Sequence, residues 1–145
     1  MIRATHLLTN AEMGMTVDEE ILLEFNLRHR RRISLATRTG KQFLLDLKST
    51  TALKDGDVLA LDDGTGVIVR AMAEQVLDIY CQSPSQLTQI AWHLGNRHLP
   101  TQIFEDHLRI LEDHVIENML KSLGARVCKM NAPFQPEGGA YAHEH

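Results

Sequence analysis

The sequence predicts an α+β protein in which a small all-β domain precedes a domain of mixed helices and strands. Three observations carry this reading. Through residue 73, short apolar runs alternate with turn residues and no stretch has helical periodicity. Beyond residue 73, two helix signatures, each with an N-terminal cap and a glycine behind it, are interleaved with strand-like runs. From Asn131 onward, Pro133, Pro136, Gly138 and Gly139 interrupt any regular pattern and predict a mobile tail.

Taken in order, Ile21-Leu22-Leu23-Glu24-Phe25 reads as a strand and is followed by a polar turn and by Ile33-Ser34-Leu35-Ala36. Residues 41–47 give a further strand. Val58-Leu59-Ala60-Leu61 and Val67-Ile68-Val69-Arg70 flank Asp62-Asp63-Gly64-Thr65-Gly66, a strong hairpin-turn signal. Short strands separated by such turns predict a small sandwich or open barrel. Residues 75–81 alternate as a strand. Ser83-Pro84-Ser85-Gln86 then begins a helix: Ser83 caps, Pro84 takes the first helical position and Gln86 completes a capping box. Leu87, Ile90, Ala91 and Leu94 form one apolar face, and Gly95 is expected to stop the helix. Strands are expected around 101–104 and 107–111. Asp113 caps a second helix ended by Gly124, and 125–130 is a last strand. The order β-α-β-β-α-β is that of the ferredoxin-like split unit, with two helices on one face of an antiparallel sheet. The expected organisation is a β domain over 1–74, a ferredoxin-like domain over 75–132 and a flexible tail over 133–145.

Composition narrows the function. Of 145 residues 43% are hydrophobic but only 5% aromatic, so the core is aliphatic. The net charge of −4 argues against general affinity for nucleic acid or anionic membrane. No apolar run reaches the length of a membrane span and the N-terminus has no signal-peptide core, so a cytoplasmic protein is expected. Cys81 and Cys128 are too far apart in sequence for a zinc knuckle and read as buried small hydrophobes. The unusual feature is the eight histidines, six of them from His93 onward.

Several runs carry chemistry-capable side chains. Arg28-His29-Arg30-Arg31-Arg32 lies between two strand candidates and reads as a solvated hairpin turn that discourages edge pairing, with a protein-binding patch as the other reading. Asp55, Asp57, Asp62 and Asp63 lack the ligand order of a calcium loop and are explained by turn chemistry. No phosphate loop, nucleophile elbow or His-Glu-x-x-His motif occurs. His98 lies just beyond a helix end, where an imidazole stays exposed, either as a helix-stop residue facing the dipole or as a metal ligand. His93 reads as helix surface. Glu112, Asp113 and His114 gather donors at one strand-to-helix junction. His143-Glu144-His145 places alternating imidazoles on the tail, which suits capture of nickel, copper or zinc. One His98 cannot hold a metal tightly alone. A two-fold dimer would supply two, and tail histidines would complete an open, labile shell suited to metal delivery rather than hydrolysis.

Three segments now carry a resemblance: 92–100 (Trp-His-Leu-Gly-Asn-Arg-His-Leu-Pro), 113–120 (Asp-His-Val-Ile-Glu-Asn-Met-Leu) and 133–141 (Pro-Phe-Gln-Pro-Glu-Gly-Gly-Ala-Tyr), the last followed by histidines. In this order the chain closely resembles the UreE urease accessory family, nickel metallochaperones of urease maturation. The resemblance implies an N-terminal β domain often described as peptide-binding and a C-terminal ferredoxin-like metal-binding domain. It implies a non-enzymatic homodimer joined through the C-terminal domains, with an accessory GTPase and the urease apoprotein complex as partners. His98 matches the histidine that both subunits contribute to one nickel site. His114 matches a second position that binds metal in some members. Glu112 stands where some members have another histidine, and the tail carries only His143 and His145, so few sites per dimer are implied. Zn²⁺ or Cu²⁺ would compete for such ligands in vitro. Two rival readings remain: a metal-free regulatory or protein-binding module, and a metal-dependent hydrolase built around His98 with Glu112 and His114.

Overall fold

A computed structural model describes residues 1–8 and 14–138. The chain divides into two compact units, Met1–Met72 and a second beginning at Ala73. No helix among the described residues is long and apolar enough to cross a membrane.

The first unit contains strands β1 (Arg3–Leu7), β2 (Thr16–Leu23), β3 (Arg32–Ala36), β4 (Gln42–Asp46), β5 (Val58–Leu61) and β6 (Thr65–Ala71). They form one sheet of order β2-β6-β5-β1-β4-β3, in which β1 with β4 and β2 with β6 are parallel pairs. The sheet curls. Although β2 and β3 stand at opposite ends of the strand order, the Arg38 N–H just after β3 donates to the Glu20 carbonyl of β2 at 3.0 Å. The Thr39 hydroxyl reaches the Glu19 carboxylate beside it. Curling puts one residue of each alternating pair inside: on β4, Phe43 and Leu45 are fully buried, and they meet Ala4, Leu59, Val67 and Val69 in a common aliphatic core.

Two features of this unit differ from the sequence reading. Residues 25–28 form a 3-10 turn, which is too short to show helical periodicity. The arginine run is also not a hairpin turn, because β2 and β3 do not pair. Its first member, Arg28, is buried, with Nε donating to the Leu23 carbonyl at 3.1 Å. Arginine tolerates this better than lysine, since its apolar stem packs and its weakly hydrated guanidinium bonds in a plane. The aspartates, in contrast, are turn residues as expected. Asp57 accepts from the Lys54 N–H, and Asp63 accepts from the Thr65 N–H and hydroxyl at the turn where Gly64 takes φ +88°. The Lys41 ammonium donates to Asp63 at 2.8 Å, and this bond is the main reason the Asp63 pKa falls to about 2. A carboxylate held low in the fold stabilises it above the ordinary aspartate range and loses that contribution as pH falls toward 2. Thermal unfolding of the first unit should therefore show a smaller drop between about pH 5 and about pH 2 in Lys41→Ala than in the native chain.

The second unit contains β7 (Ala73–Tyr80), α1 (Pro84–Asn96), β8 (Gln102–Ile103), β9 (Leu108–Leu111), α2 (His114–Ser122) and β10 (Arg126–Pro133). The sheet order is β10-β7-β9-β8 and every pair is antiparallel. This is the expected ferredoxin-like arrangement. Leu77 and Ile79 of β7 and Leu108 and Ile110 of β9 pack against Ile90 and Leu94 of α1 and Ile116 and Leu120 of α2, so both helices share the core on one sheet face. The expected caps form. The Ser83 hydroxyl accepts from the Gln86 N–H at 3.1 Å and the Asp113 carboxylate from the Ile116 N–H at 3.0 Å. The Gln86 side chain accepts from the Gln82 N–H, one residue earlier than a regular capping box requires.

Candidate metal centre

The antiparallel register puts His98, Glu112 and His114 toward one end of the sheet. It places the starts of β7 and β8 and the ends of β9 and β10 at one end of the sheet. His98 precedes β8, Glu112 and His114 follow β9, and the chain leaves β10 there on its way to the C-terminus. His107 belongs to the other end, stacked between Phe104 and Tyr80 with centroid separations of 4.2 and 4.8 Å. Its Nδ1 lies 2.6 Å from Asp106. His93 sits in the last turn of α1, edge-on to Trp92.

His98 has an uncommon backbone. Helix α1 does not stop at Gly95, which is helical, but continues to Asn96. The chain then reverses through His98 at φ +58°, the single positive φ among described non-glycine residues. The His98 N–H donates to the Gly95 carbonyl at 3.0 Å and the Leu99 N–H to the Leu94 carbonyl at 3.1 Å. These two bonds define a Schellman cap, whose left-handed position ordinarily belongs to glycine. Helix α2 closes with the same pair, Gly124 N–H to Lys121 and Ala125 N–H to Leu120, at 3.0 and 3.1 Å. There the left-handed residue is Gly124, at φ +89°. The residue before it has nearly the same backbone in both caps, φ −89° and ψ 3° at Arg97, φ −85° and ψ 3° at Leu123.

A Cβ at position 124 would meet the Gln86 side chain at 3.0 Å. Gly124→Ala should therefore destabilise the second unit by about 1–2 kcal/mol, read by chemical denaturation. His98 accepts the same backbone cost with an exposed imidazole at the negative end of the α1 dipole, where a cation is favoured.

The other donors are more loosely arranged. His114 is the first residue of α2 and is exposed, at the positive end of its helix. Glu112 is exposed, its N–H held by the Gln75 carbonyl at 3.1 Å. Among the described residues no three His, Cys, Asp or Glu side chains are grouped to hold a metal ion. Both cysteines are free and half-buried, and burial pushes the Cys81 thiol up, away from the thiolate a metal needs. His143 and His145 lie outside the described residues.

The segment following β10 was missed by sequence reasoning. The strand continues to Pro133, three residues beyond its expected end, and Phe134 is fully buried. The chain is then tied along β8. Arg109 donates to the Pro133 carbonyl at 2.9 Å, the Gln135 N–H to the Gln102 side chain at 2.9 Å and the Glu137 N–H to the Thr101 carbonyl at 2.8 Å. Arg109 is itself fixed by a bidentate pair with buried Asp78, at 2.7 and 3.1 Å. Glu137, the last residue so tied, thus lies beside Thr101, close in sequence to His98. The one signal for this was an aromatic side chain inside a proline-rich stretch.

The fold and site define an α+β protein of two small units, with His98, Glu112 and His114 as exposed side chains of the second. Comparison with known proteins gives the family. Residues 4–72 match the model of the UreE urease accessory protein N-terminal domain, and residues 74–145 match that of the C-terminal domain. The chain is 52% identical over 148 residues to the urease accessory protein UreE of Bradyrhizobium sp. (strain ORS 278), a match spanning all of this chain and 70% of the relative. It is 44% identical to that of Chelativorans sp. (strain BNC1), spanning all of this chain and 90% of the relative. The chain belongs to the UreE urease accessory family.

Proposed function

We propose that the chain is a nickel metallochaperone that hands Ni²⁺ to the assembling urease active site. In this reading it is not an enzyme and works in the cytoplasm as a homodimer. Its partners are the urease accessory GTPase and the urease apoprotein complex, and it engages neither nucleic acid nor membrane. The observation that carries the reading is His98. A residue that could be glycine for the backbone's sake is a histidine, exposed at one end of the domain. Two such imidazoles, one from each subunit, would form a shared site, with His143 and His145 as auxiliary ligands and His114 as a secondary one. The absence of a complete ligand set within one chain, among the described residues, agrees with a site completed across a two-fold axis. Two imidazoles on an open surface bind nickel reversibly and do not exclude Zn²⁺ or Cu²⁺ by geometry, so selectivity would rest on the partners.

Isothermal calorimetry with nickel tests this. The native chain should bind about one strongly held ion per dimer and His98→Ala should weaken that event at least about tenfold, the loss expected for removing ligands from a small site. Unchanged stoichiometry and affinity in His98→Ala would overturn the reading.

A further inference from the structure

The arginine run has no part in the metal chemistry, yet it is built into the first unit with some care. It opens β3, an edge strand. The Arg31 guanidinium donates to the Leu47 carbonyl at 3.1 Å, which holds it over the neighbouring strand. Around Asp46 at the end of β4, three guanidiniums converge: Arg3 at 3.4 Å, Arg32 at 3.5 Å and Arg31 at 3.9 Å. Arg3 comes from β1, on the far side of β4 from β3, so the cluster spans three adjacent strands. The Asp62 carboxylate is also near, but it accepts from the Arg3 backbone N–H at 3.1 Å.

The charges do not balance. Each guanidinium offers a planar fork of donors, and a carboxylate takes one such fork well. Asp46 is 22% exposed, whereas the side chains of Arg3, Arg31 and Arg32 keep 53%, 49% and 54% of their surface in solvent. Arg30 and Lys48, next to the cluster in sequence, are exposed as well. A surplus of fixed, half-solvated guanidiniums thus sits in a chain whose net charge is −4.

We propose that this cluster is a docking site for a carboxylate-rich segment of a protein partner. Glutamate or aspartate side chains of that segment would take the guanidinium donors that Asp46 leaves unused. Asp46 shows that a carboxylate is drawn among these guanidiniums, with single contacts at 3.4–3.9 Å that leave the forks open. A protein segment fits better than a nucleic acid, because a short acidic stretch needs only the cluster while a long polyanion must also cross the acidic remainder of the chain. The site is independent of the metal reading and is tested without metal.

The test is fluorescence anisotropy of a labelled peptide of alternating glutamate and serine, titrated with the full chain. Binding should weaken steadily as salt rises from about 50 to about 300 mM, since the contacts are partly solvated. Arg31→Ala/Arg32→Ala should weaken it at least about tenfold. Arg38→Ala, which removes a guanidinium paired with Glu20 beside β2, should leave it unchanged. Arg32→Lys keeps charge and fold while removing the fork. It should lose affinity several-fold, and it reads the site even if the double variant unfolds. The proposal is overturned if the native chain fails to bind the peptide at low salt. It is equally overturned if Arg38→Ala loses as much as the double variant, if Arg32→Lys binds like the native chain, or if a single-stranded oligonucleotide of equal charge binds more tightly than the peptide.

Discussion

Replacing His98 by glycine is expected to leave the second unit at least as stable as before while removing the strong nickel binding proposed for it. The two halves of this result have separate causes. The left-handed backbone at His98 costs a residue with a Cβ roughly 1–2 kcal/mol. Glycine relieves that cost but adds about 0.4–1 kcal/mol of unfolded-state entropy, so the net change is a gain of between about 0 and about 1.6 kcal/mol. The Schellman bonds to Gly95 and Leu94 are backbone bonds and survive the change. Loss of metal binding in a fold that is not weakened assigns the imidazole to function. Were His98 a structural cap residue, glycine would improve the helix and leave nickel binding alone. The matching position in α2 is the internal control, since Gly124 already occupies it and that cap carries no imidazole.

Phe134→Ala should cost the second unit about 3–5 kcal/mol, the usual loss for a fully buried aromatic side chain. Denaturant unfolding would read it as a large drop in midpoint. Gly138→Ala makes a fair comparison, because a Cβ there meets nothing within 4 Å and its effect should stay within about 0.5 kcal/mol. Phe134 is buried beside the segment whose Gln135 and Glu137 bond to Gln102 and Thr101. A small change in Phe134→Ala would mean that the segment after β10 is only loosely held.

These two residues mark where the sequence was legible and where it was not. The order of the second unit could be read because its signals are local. Ser83 and Asp113 cap as their side-chain chemistry requires, and Leu87, Ile90 and Leu94 recur at helical spacing. Gly95 misled the helix boundary because glycine near a helix end is the commonest stop, yet here the stop lies three residues on at a histidine. Nothing local distinguishes a histidine that will adopt φ +58° from one that will not; the distinction rests on the two bonds closing back onto Gly95 and Leu94. Phe134 was invisible for a related reason. It is a single apolar residue without periodicity, and its neighbours Pro133 and Gln135 are held by Arg109 and Gln102, which only the sheet order brings near. In the first unit the alternation of Gln42-Phe43-Leu44-Leu45-Asp46 announced a strand. The pairing of β3 with β4 instead of β2, which makes the arginine run something other than a hairpin turn, is a long-range choice that no short window contains. The candidate site was half legible: His98 and His114 could be proposed from position, but their placement toward the same end of the sheet follows from the antiparallel register.

In the proposed function nickel is held between two copies of the chain through His98. Native mass spectrometry of the full chain with stoichiometric nickel measures it directly. One tightly held nickel is expected on the mass of two chains, and none on a dimer of His98→Gly. Nickel carried by single chains, or the same nickel load on the His98→Gly dimer, would contradict it.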